Sequence, residues 1–435
     1  MTPSPERAKR AEGRVEGRPP WYWCALGAVA MSLGWGLRGS IGGGSLGAMI
    51  PGAMIGLVLC LLLDRRSDAG LIAAFAAVGV GFGGQETYGQ TVGLSLQPDT
   101  FWWAILGFVI KGAAWGLLGG AFIGIALDRE RYTTAHLIAG FAIMVLGTWL
   151  AWKFVNSPKL IYFSNLLDRP REELWAGLWL GGLLLVAWLR SPVPAWFALH
   201  GAIGGGIGFG VGAALQPMGK ALWAGMPLGW WKAMELTFGG ILGLAYVLCA
   251  WRLRSQLAAT STASVPATPL PRAFLAAIIS IGLAIVVGNY LPVRFDYTIT
   301  GAVLAGVLLV SESLAWQIAV TATFAAFAWD FLEYQKFAPL SLAWPVVVAT
   351  TVAMTVIVAR YPRPRTMLLL ITWTAVASAF RYFLPPSAIG RETATMLTVF
   401  VALGLVMSLM LPVVRKRQRG GPAGQRCGKC PVPLV

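Results

Sequence analysis

The sequence predicts an all-α fold, a polytopic transmembrane helical bundle of about 14 spans. Three observations predict it: an apolar composition, apolar runs that recur along the whole chain, and an internal repeat. Of the 435 residues, 57% are hydrophobic and 12% are charged. A soluble domain carries about 25% charged residues, so this composition excludes an ordinary soluble protein.

Apolar runs of roughly 18 to 25 residues are long enough to cross about 30 Å of hydrocarbon. In chain order the predicted spans are 22–37, 44–63, 70–86, 101–127, 134–152, 173–189, 195–215, 227–250, 273–290, 298–311, 314–330, 340–359, 366–384 and 394–414. The tenth and eleventh runs are the weakest, and together they are also compatible with one interrupted span.

The net charge of +16 fits a membrane topology better than nucleic-acid binding. If both termini are cytoplasmic, about two thirds of the Lys and Arg residues lie on the cytoplasmic side, as the positive-inside rule requires. Loop 153–172 carries several basic residues on the outer side, and it is the main observation against this topology. The charged first 20 residues lack a signal-peptide cleavage site. We therefore expect an integral protein of a bacterial inner (plasma) membrane.

Glycine divides the chain into two membrane parts. Most of the 53 glycines precede residue 254, and few lie in the apolar part that follows. A Ser/Thr/Ala/Pro-rich stretch between them is typical of a flexible linker. The predicted units are a cytoplasmic basic tail (1–20), a glycine-rich eight-helix domain (21–253), a flexible cytoplasmic linker (254–272), a six-helix domain (273–414) and a basic cytoplasmic tail (415–435).

The eight-helix domain repeats itself, with units at 21–132 and 133–253. Four matches keep the same order: 27–37 with 140–150, 79–83 with 206–210, 96–98 with 215–217, and 102–120 with 227–240. The last match sets Lys111 opposite Lys232. Four helices per unit give both copies the same orientation, so we predict a tandem 4+4 repeat about an axis along the membrane normal.

Glycine ladders run along two of the predicted spans. Small residues recur every four positions at Gly44, Ala48, Gly52 and Gly56, and again at Gly112, Gly116, Gly120 and Gly124. Such ladders let membrane helices pack closely, which is the favoured interpretation. The alternative is that the smooth faces let helices slide or line a pore. No Gly-Lys-Ser/Thr follows either ladder, so neither predicts a phosphate-binding loop.

Five charged residues are predicted at the outer level of the duplicated domain: Arg38, Glu86, Lys111, Lys232 and Glu235. Lys111 lies ten residues into its span, about 15 Å deep at 1.5 Å per residue. A charge near the bilayer centre costs about 2.5–3.5 kcal/mol, so it needs a partner or water. These five residues are the candidate substrate-binding residues.

Two interpretations of this group stay open. In one, Lys111 pairs with Glu86 and Lys232 with Glu235, and the ion pairs only fix packing. In the other, the residues line a water-filled cavity that opens to the outside. Their positive charges outnumber their negative charges, which favours an anionic or polyhydroxy solute over a metal cation. Arg38 would then cap a polar vestibule, and the glycines after it would let the helix-to-helix turn pack tightly.

Known catalytic and metal motifs are missing. The sequence has no HExxH, GxSxG or DxD motif and only two histidines. The terminal CGKC provides two cysteines where a zinc site needs about four ligands, so it is weak evidence for a metal. We predict no catalytic residues, no cofactor and no metal.

The sequence therefore favours a transporter or permease for a small polar solute. One alternative is a membrane-embedded enzyme that acts on a lipid-linked substrate, with Glu86 or Glu235 as the acid/base. Another is a structural membrane subunit. The expected partners are the lipid bilayer and a small-molecule solute, without nucleic acid, and a homo-oligomer stays open.

Overall fold

The computed structural model describes residues 18–38, 44–84, 86–165, 172–257, 269–290, 340–361, 363–379 and 390–411. These residues form helices joined by turns, and the described ranges contain no strand. In chain order the helices are α1 (Pro20–Arg38), α2 (Gly44–Leu62), α3 (Ala69–Gly83), α4 (Gly89–Ser95), α5 (Phe101–Leu127), α6 (Thr134–Ala151), α7 (Trp175–Leu189), α8 (Pro192–Leu222), α9 (Trp230–Leu257), α10 (Leu270–Tyr290), α11 (Leu340–Arg360), α12 (Pro364–Ala379) and α13 (Arg391–Met410). The predicted all-α class is confirmed.

Five segments are long and apolar enough to cross a membrane: Pro98–Leu127, Thr134–Asn156, Pro192–Leu222, Trp230–Leu257 and Arg391–Met410. Shorter apolar helices accompany them, among them Trp175–Leu189. Long apolar helices of this kind are typical of integral membrane proteins. The count of 14 spans and the 4+4 repeat stay predictions.

Some predicted segments lie outside the described residues. These are the spans 298–311 and 314–330, almost all of the first tail, most of the linker and the whole of the second tail. The helices α9 and α10 extend into the predicted linker from both sides, to Leu257 and from Leu270. Their extensions contain Arg, Gln and Leu, which favour helix. The domain boundaries stay predictions.

The predicted third span, 70–86, also differs from the structure. Helix α3 ends at Gly83, and the chain then turns and forms the short helix α4. Polar residues follow the last glycines of α3, which gives the helix no apolar reason to continue. The result is that Glu86 lies in a turn between α3 and α4 and not on helix α3.

The tightest helix pair is α5 with α8. A Cβ added at Gly112 would collide with the carbonyl oxygen of Gly205, and one added at Gly116 would collide with that of Gly201. The two backbones therefore touch directly along this antiparallel crossing. This is the close packing expected from the glycine ladder of α5.

The remaining helices pack around this pair. Helix α9 lies against α8 and α1, and Gly243 of α9 opposes the carbonyl oxygen of Gly27. Helices α2 and α3 complete the layer between α1 and α5, and α6 pairs with α7 beside α5. Of the C-terminal helices, α12 packs on α2, and α13 packs on α1.

Candidate functional site

The structure divides the five predicted site residues between two clusters. The Lys111 cluster consists of Glu86, Thr87, Thr91, Lys111 and Glu173. The Arg38 cluster consists of Trp35, Arg38, Tyr88, Trp115, Trp231, Lys232 and Glu235. The two clusters differ in how many of their charged groups lack a partner and could bind a ligand.

Lys111 is fully buried and fully engaged. Its Nζ atom lies 3.0 Å from Glu86 Oε1 and 2.8 Å from Glu173 Oε1, and all three side chains are 0% exposed. The same ammonium donates to the Thr87 carbonyl oxygen at 2.7 Å and to Thr91 Oγ1 at 3.1 Å. An ammonium has three N–H donors, so none is left for a further ligand.

The two carboxylates of this cluster hold the chain around α7. Glu86 Oε2 accepts a hydrogen bond from the Leu174 backbone N–H at 2.6 Å. Glu173 accepts from the Phe163 backbone N–H and, at 2.8 Å, from the Ser164 hydroxyl. Glu86 Oε1 has the ion-pair contact with Lys111 but no hydrogen bond among the described residues. The cluster has the geometry of the ion-pair interpretation, a network of buried charges that positions loops.

Sequence reasoning found Lys111 and Glu86 but missed Glu173. That residue stands at the edge of the predicted span 173–189, where a charge carries little information. Only the return of the chain before α7 brings it to Lys111. With Glu173 included, positive charges no longer outnumber negative ones across the two clusters, and the surplus lies in the Arg38 cluster alone.

Arg38 ends α1 inside a cage of aromatic rings. Its guanidinium carbon lies 5.0 Å from the ring centroids of Trp35 and Trp115 and 5.5 Å from that of Tyr88. The residue is 4% exposed, and its buried Nε and Nη1 atoms have no hydrogen-bond partner among the residues that the structure describes. Cation–π contacts and the negative end of the α1 dipole stabilise the charge, but they do not satisfy these N–H groups.

The glycines after Arg38 have a visible role at one position. A Cβ added at Gly47, in the first turn of α2, would lie 2.9 Å from both Arg38 Cγ and the Arg38 carbonyl oxygen. The aliphatic part of Arg38 therefore occupies the space that a side chain at position 47 would need. The turn itself, residues 39–43, lies outside the described residues, so its tight packing stays a prediction.

Glu235 connects the rest of the Arg38 cluster. Its Oε2 atom pairs with Lys232 Nζ at 2.7 Å, and Lys232 also donates to the Gly36 carbonyl oxygen at 3.0 Å. Its Oε1 atom accepts from the Tyr88 hydroxyl at 3.0 Å and from Trp231 Nε1 at 3.1 Å. One carboxylate thus fixes two aromatic side chains that come from different parts of the chain.

Tyr88 and Trp231 form a stacked pair, called here the aromatic partition. Their ring centroids are 5.6 Å apart, with 26° between the ring planes. Tyr88 also faces Arg38, whereas Trp231 is 39% exposed. The partition therefore lies between the buried guanidinium and the surface.

An open cleft of about 520 Å³ lies on the exposed side of the partition. Its lining is Gly89, Val92, Gly93, Leu96, Gln216, Lys220, Ala224, Met226, Gly229, Trp230, Trp231 and Glu392. Helix α4 with the residue after it, the end of α8, the loop 223–229, the start of α9 and the first turn of α13 supply these residues. None of the five predicted site residues lines the cleft, and Trp231 is the connection between the cleft and Arg38.

Within the described ranges, no group of three or more His, Cys, Asp or Glu residues could hold a metal ion.

The comparisons with known proteins assign no function to this site. In comparisons with known proteins, no family model, no characterised protein and no solved structure matches the chain.

Proposed function

We propose that the protein is an integral membrane transporter or permease for a small polar solute that carries an anionic group. The solute enters the cleft from the outer side and reaches Arg38 when the aromatic partition opens. The observation that carries the proposal is the buried Arg38 guanidinium, with two nitrogens that lack an acceptor, behind a partition that borders an open cleft.

The free energy of the buried guanidinium supports a ligand at this place. A buried donor left without an acceptor costs about 1–3 kcal/mol, and more when it is charged. An anion that accepts from Nε and Nη1 would remove this cost. Lys232 adds a second positive charge to the cluster, against the single carboxylate of Glu235.

The engagement of the carboxylates argues against the enzyme alternative. An acid/base needs a carboxylate that can reach the substrate. Glu86 is fully buried between Lys111 and the Leu174 backbone. Both oxygens of Glu235 accept hydrogen bonds from Tyr88, Trp231 and Lys232, so its role is to hold the partition.

The experiment is a flux measurement on purified protein in proteoliposomes. Potassium lactate, potassium glycerol 3-phosphate and glycerol serve as probes, and valinomycin carries the potassium co-ion. Swelling is followed by stopped-flow light scattering. We expect at least one of the two anions to enter liposomes with the unaltered protein about tenfold faster than it enters liposomes with the Arg38→Met variant.

Lys153→Met is the matched control because it removes an exposed positive charge on the predicted outer side, away from both clusters. It should leave the anion flux unchanged. If every probe enters protein-containing and protein-free liposomes at the same rate, the permease proposal is wrong.

A further inference from the structure

We propose that the cleft is a binding site for a zwitterion, with Lys220 holding its anionic group and Glu392 its cationic group. The inference rests on the proposed function, since it names the class of solute that the entrance selects. Its two charged residues, Lys220 and Glu392, belong to neither the Lys111 cluster nor the Arg38 cluster. Four features of the cleft carry it.

Lys220 supplies the positive side of the cleft. It lies in the last turn of α8 and is exposed. Within the described residues no carboxylate pairs with it. Its charge is therefore available to an anionic group in the cleft.

Glu392 supplies the negative side. It lies in the first turn of α13, where the helix dipole stabilises a carboxylate. Its Oε1 atom lies 2.7 Å from where a Cβ of residue 229 would stand, and Gly229 has φ +76°. Glycine at 229 thus permits both the turn before α9 and the approach of this carboxylate. No cation of the described residues pairs with it.

The two charges share one cleft without neutralising each other. Lys220 and Glu392 both line it, yet they form no ion pair within 4.0 Å. The volume of about 520 Å³ lies within the range of small-molecule sites, roughly 300–1,000 Å³. Opposite charges that line a common space without pairing match a ligand with two charged ends.

Two indole rings complete the site. Trp231 lines the cleft, and so does Trp230, whose Nε1 donates to the Trp223 carbonyl oxygen at 3.0 Å. That bond, together with the close packing of Gly219 on the ring, holds Trp230 in place. Indole faces attract cations, including quaternary ammonium groups, which favours the cationic end of a zwitterion beside Glu392.

The same charges make ligands of single sign bind more weakly than a zwitterion, without closing the cleft to them. A simple anion at Lys220 meets the repulsion of Glu392, and a simple cation at Glu392 meets that of Lys220. Such unfavourable contacts let a site distinguish ligands of similar size by their charge. The zwitterion comes either from a free solute or from the headgroup of a zwitterionic phospholipid.

The test is equilibrium binding of radiolabelled glycerophosphocholine to the whole protein in nanodiscs of phosphatidylglycerol, an anionic lipid. Glycerol 3-phosphate and choline, which carry its two charges separately, are the comparison ligands. We expect glycerophosphocholine to bind about tenfold or more tightly than either one, because each lost charge contact costs about 1.4 kcal/mol or more. Lys220→Gln and Glu392→Gln should each weaken its binding by a similar factor.

Lys159→Gln and Arg391→Gln are the matched controls, since both remove exposed charges outside the cleft. They should bind like the unaltered protein. The proposal is wrong if the two half-ligands bind as tightly as glycerophosphocholine, or if Lys220→Gln and Glu392→Gln leave its affinity unchanged.

A second set of nanodiscs, made of phosphatidylcholine, distinguishes the two sources. If the headgroup of the lipid occupies the cleft, glycerophosphocholine binds in phosphatidylglycerol discs but is excluded in phosphatidylcholine discs. If a free solute is the ligand, it binds in both. Both results support a zwitterion site. Zwitterion binding without any flux in proteoliposomes would contradict the permease proposal and support the zwitterion site. Anion flux without zwitterion binding would support the permease proposal and contradict the zwitterion site.

Discussion

Lys111 and Lys232 occupy matching positions in the predicted repeat, yet the structure gives them different surroundings. Lys111 is fully buried between two carboxylates, and its donors are all used. Lys232 keeps 15% of its side chain exposed and pairs with the single carboxylate of Glu235. The two lysines therefore differ in the number of their acidic partners and not in their position in the repeat. The Lys111 cluster has two carboxylates for one cation, whereas the Arg38 cluster has one carboxylate for two cations.

The same comparison applies to the clusters as wholes. In the Lys111 cluster, two carboxylates oppose one ammonium, and backbone N–H groups donate to Glu86 Oε2 and Glu173 Oε2. In the Arg38 cluster, two cations oppose one carboxylate, and two guanidinium nitrogens lack an acceptor. The first cluster is arranged to hold loops, and the second has the charge and the free donors that an anionic ligand requires.

The largest expected effect comes from breaking the closed cluster. Lys111→Met leaves Glu86 and Glu173 buried without their cation, and removing one partner of a buried ion pair costs about 3–5 kcal/mol. Lys232→Met should cost less than that, because Lys232 keeps 15% of its side chain exposed and the buried Glu235 carboxylate retains the hydrogen bonds from Tyr88 and Trp231. The free energy of unfolding, measured by SDS titration in mixed micelles, checks the difference.

A second substitution sharpens this test. Glu173→Gln in the Lys111→Met background removes one of the two stranded charges and should restore part of the lost stability. Equal losses for the two lysine variants would mean that the closed and open environments do not differ in energy.

Arg38→Met should have the opposite profile, with a large effect on transport and a small one on stability. The substitution loses cation–π contacts worth about 2 kcal/mol. It also removes buried donors whose lack of partners costs about 1–3 kcal/mol. These terms nearly cancel, so the free energy of unfolding should change by less than about 1 kcal/mol while anion flux falls about tenfold. A stability loss as large as that of Lys111→Met would assign Arg38 a structural role.

Accessibility to a thiol reagent separates the clusters more directly. In a background without native cysteines, Lys232→Cys should react with a membrane-impermeant maleimide about tenfold faster than Lys111→Cys, as their exposures of 15% and 0% indicate. Lys220→Cys, in the open cleft, is the control for a freely reactive position. Equal labelling at 111 and 232 would restore the idea of one continuous vestibule.

The smallest expected effect concerns the aromatic partition. Tyr88→Phe keeps the ring but removes the hydrogen bond to Glu235, which is worth about 1 kcal/mol. If opening of the partition limits flux, the anion should cross about fivefold faster, the rate factor for that energy. Trp103→Phe is the control because it removes an indole bond to the Tyr162 carbonyl oxygen outside the partition. Slower flux in Tyr88→Phe would instead make the hydroxyl part of the binding site.

The long apolar helices were predictable because hydrophobic length alone defines them. The span 101–127 coincides with α5, and 134–152 nearly coincides with α6. Helix α8 extends beyond the predicted 195–215 because its ends are polar or contain proline, and hydropathy ends where such residues begin. Helix α4 was missed since its seven residues are too few and too rich in glycine to give a period.

The candidate site was predictable only where partners are close in sequence. Lys232 and Glu235 are three positions apart, a spacing that puts both on one helix face. Glu173 lies 62 positions from Lys111, and no local sequence pattern predicts their contact. The cleft depends on Glu392, which α13 brings from the far end of the chain to the turn at Gly229.

The backbone contact between α5 and α8 has a consequence for motion. At Gly116 and Gly120 the atoms that an added Cβ would meet all belong to the backbone of α8, so no rotamer change can accommodate a new relative orientation. We expect this pair to move as one rigid body, with α4 as the mobile element, since Gly89 and Gly93 have open space beside them. The α5–α8 pair then provides a fixed reference frame: spin labels across it should keep one distance distribution, while labels from α4 to α8 should report a second distance whenever the partition opens.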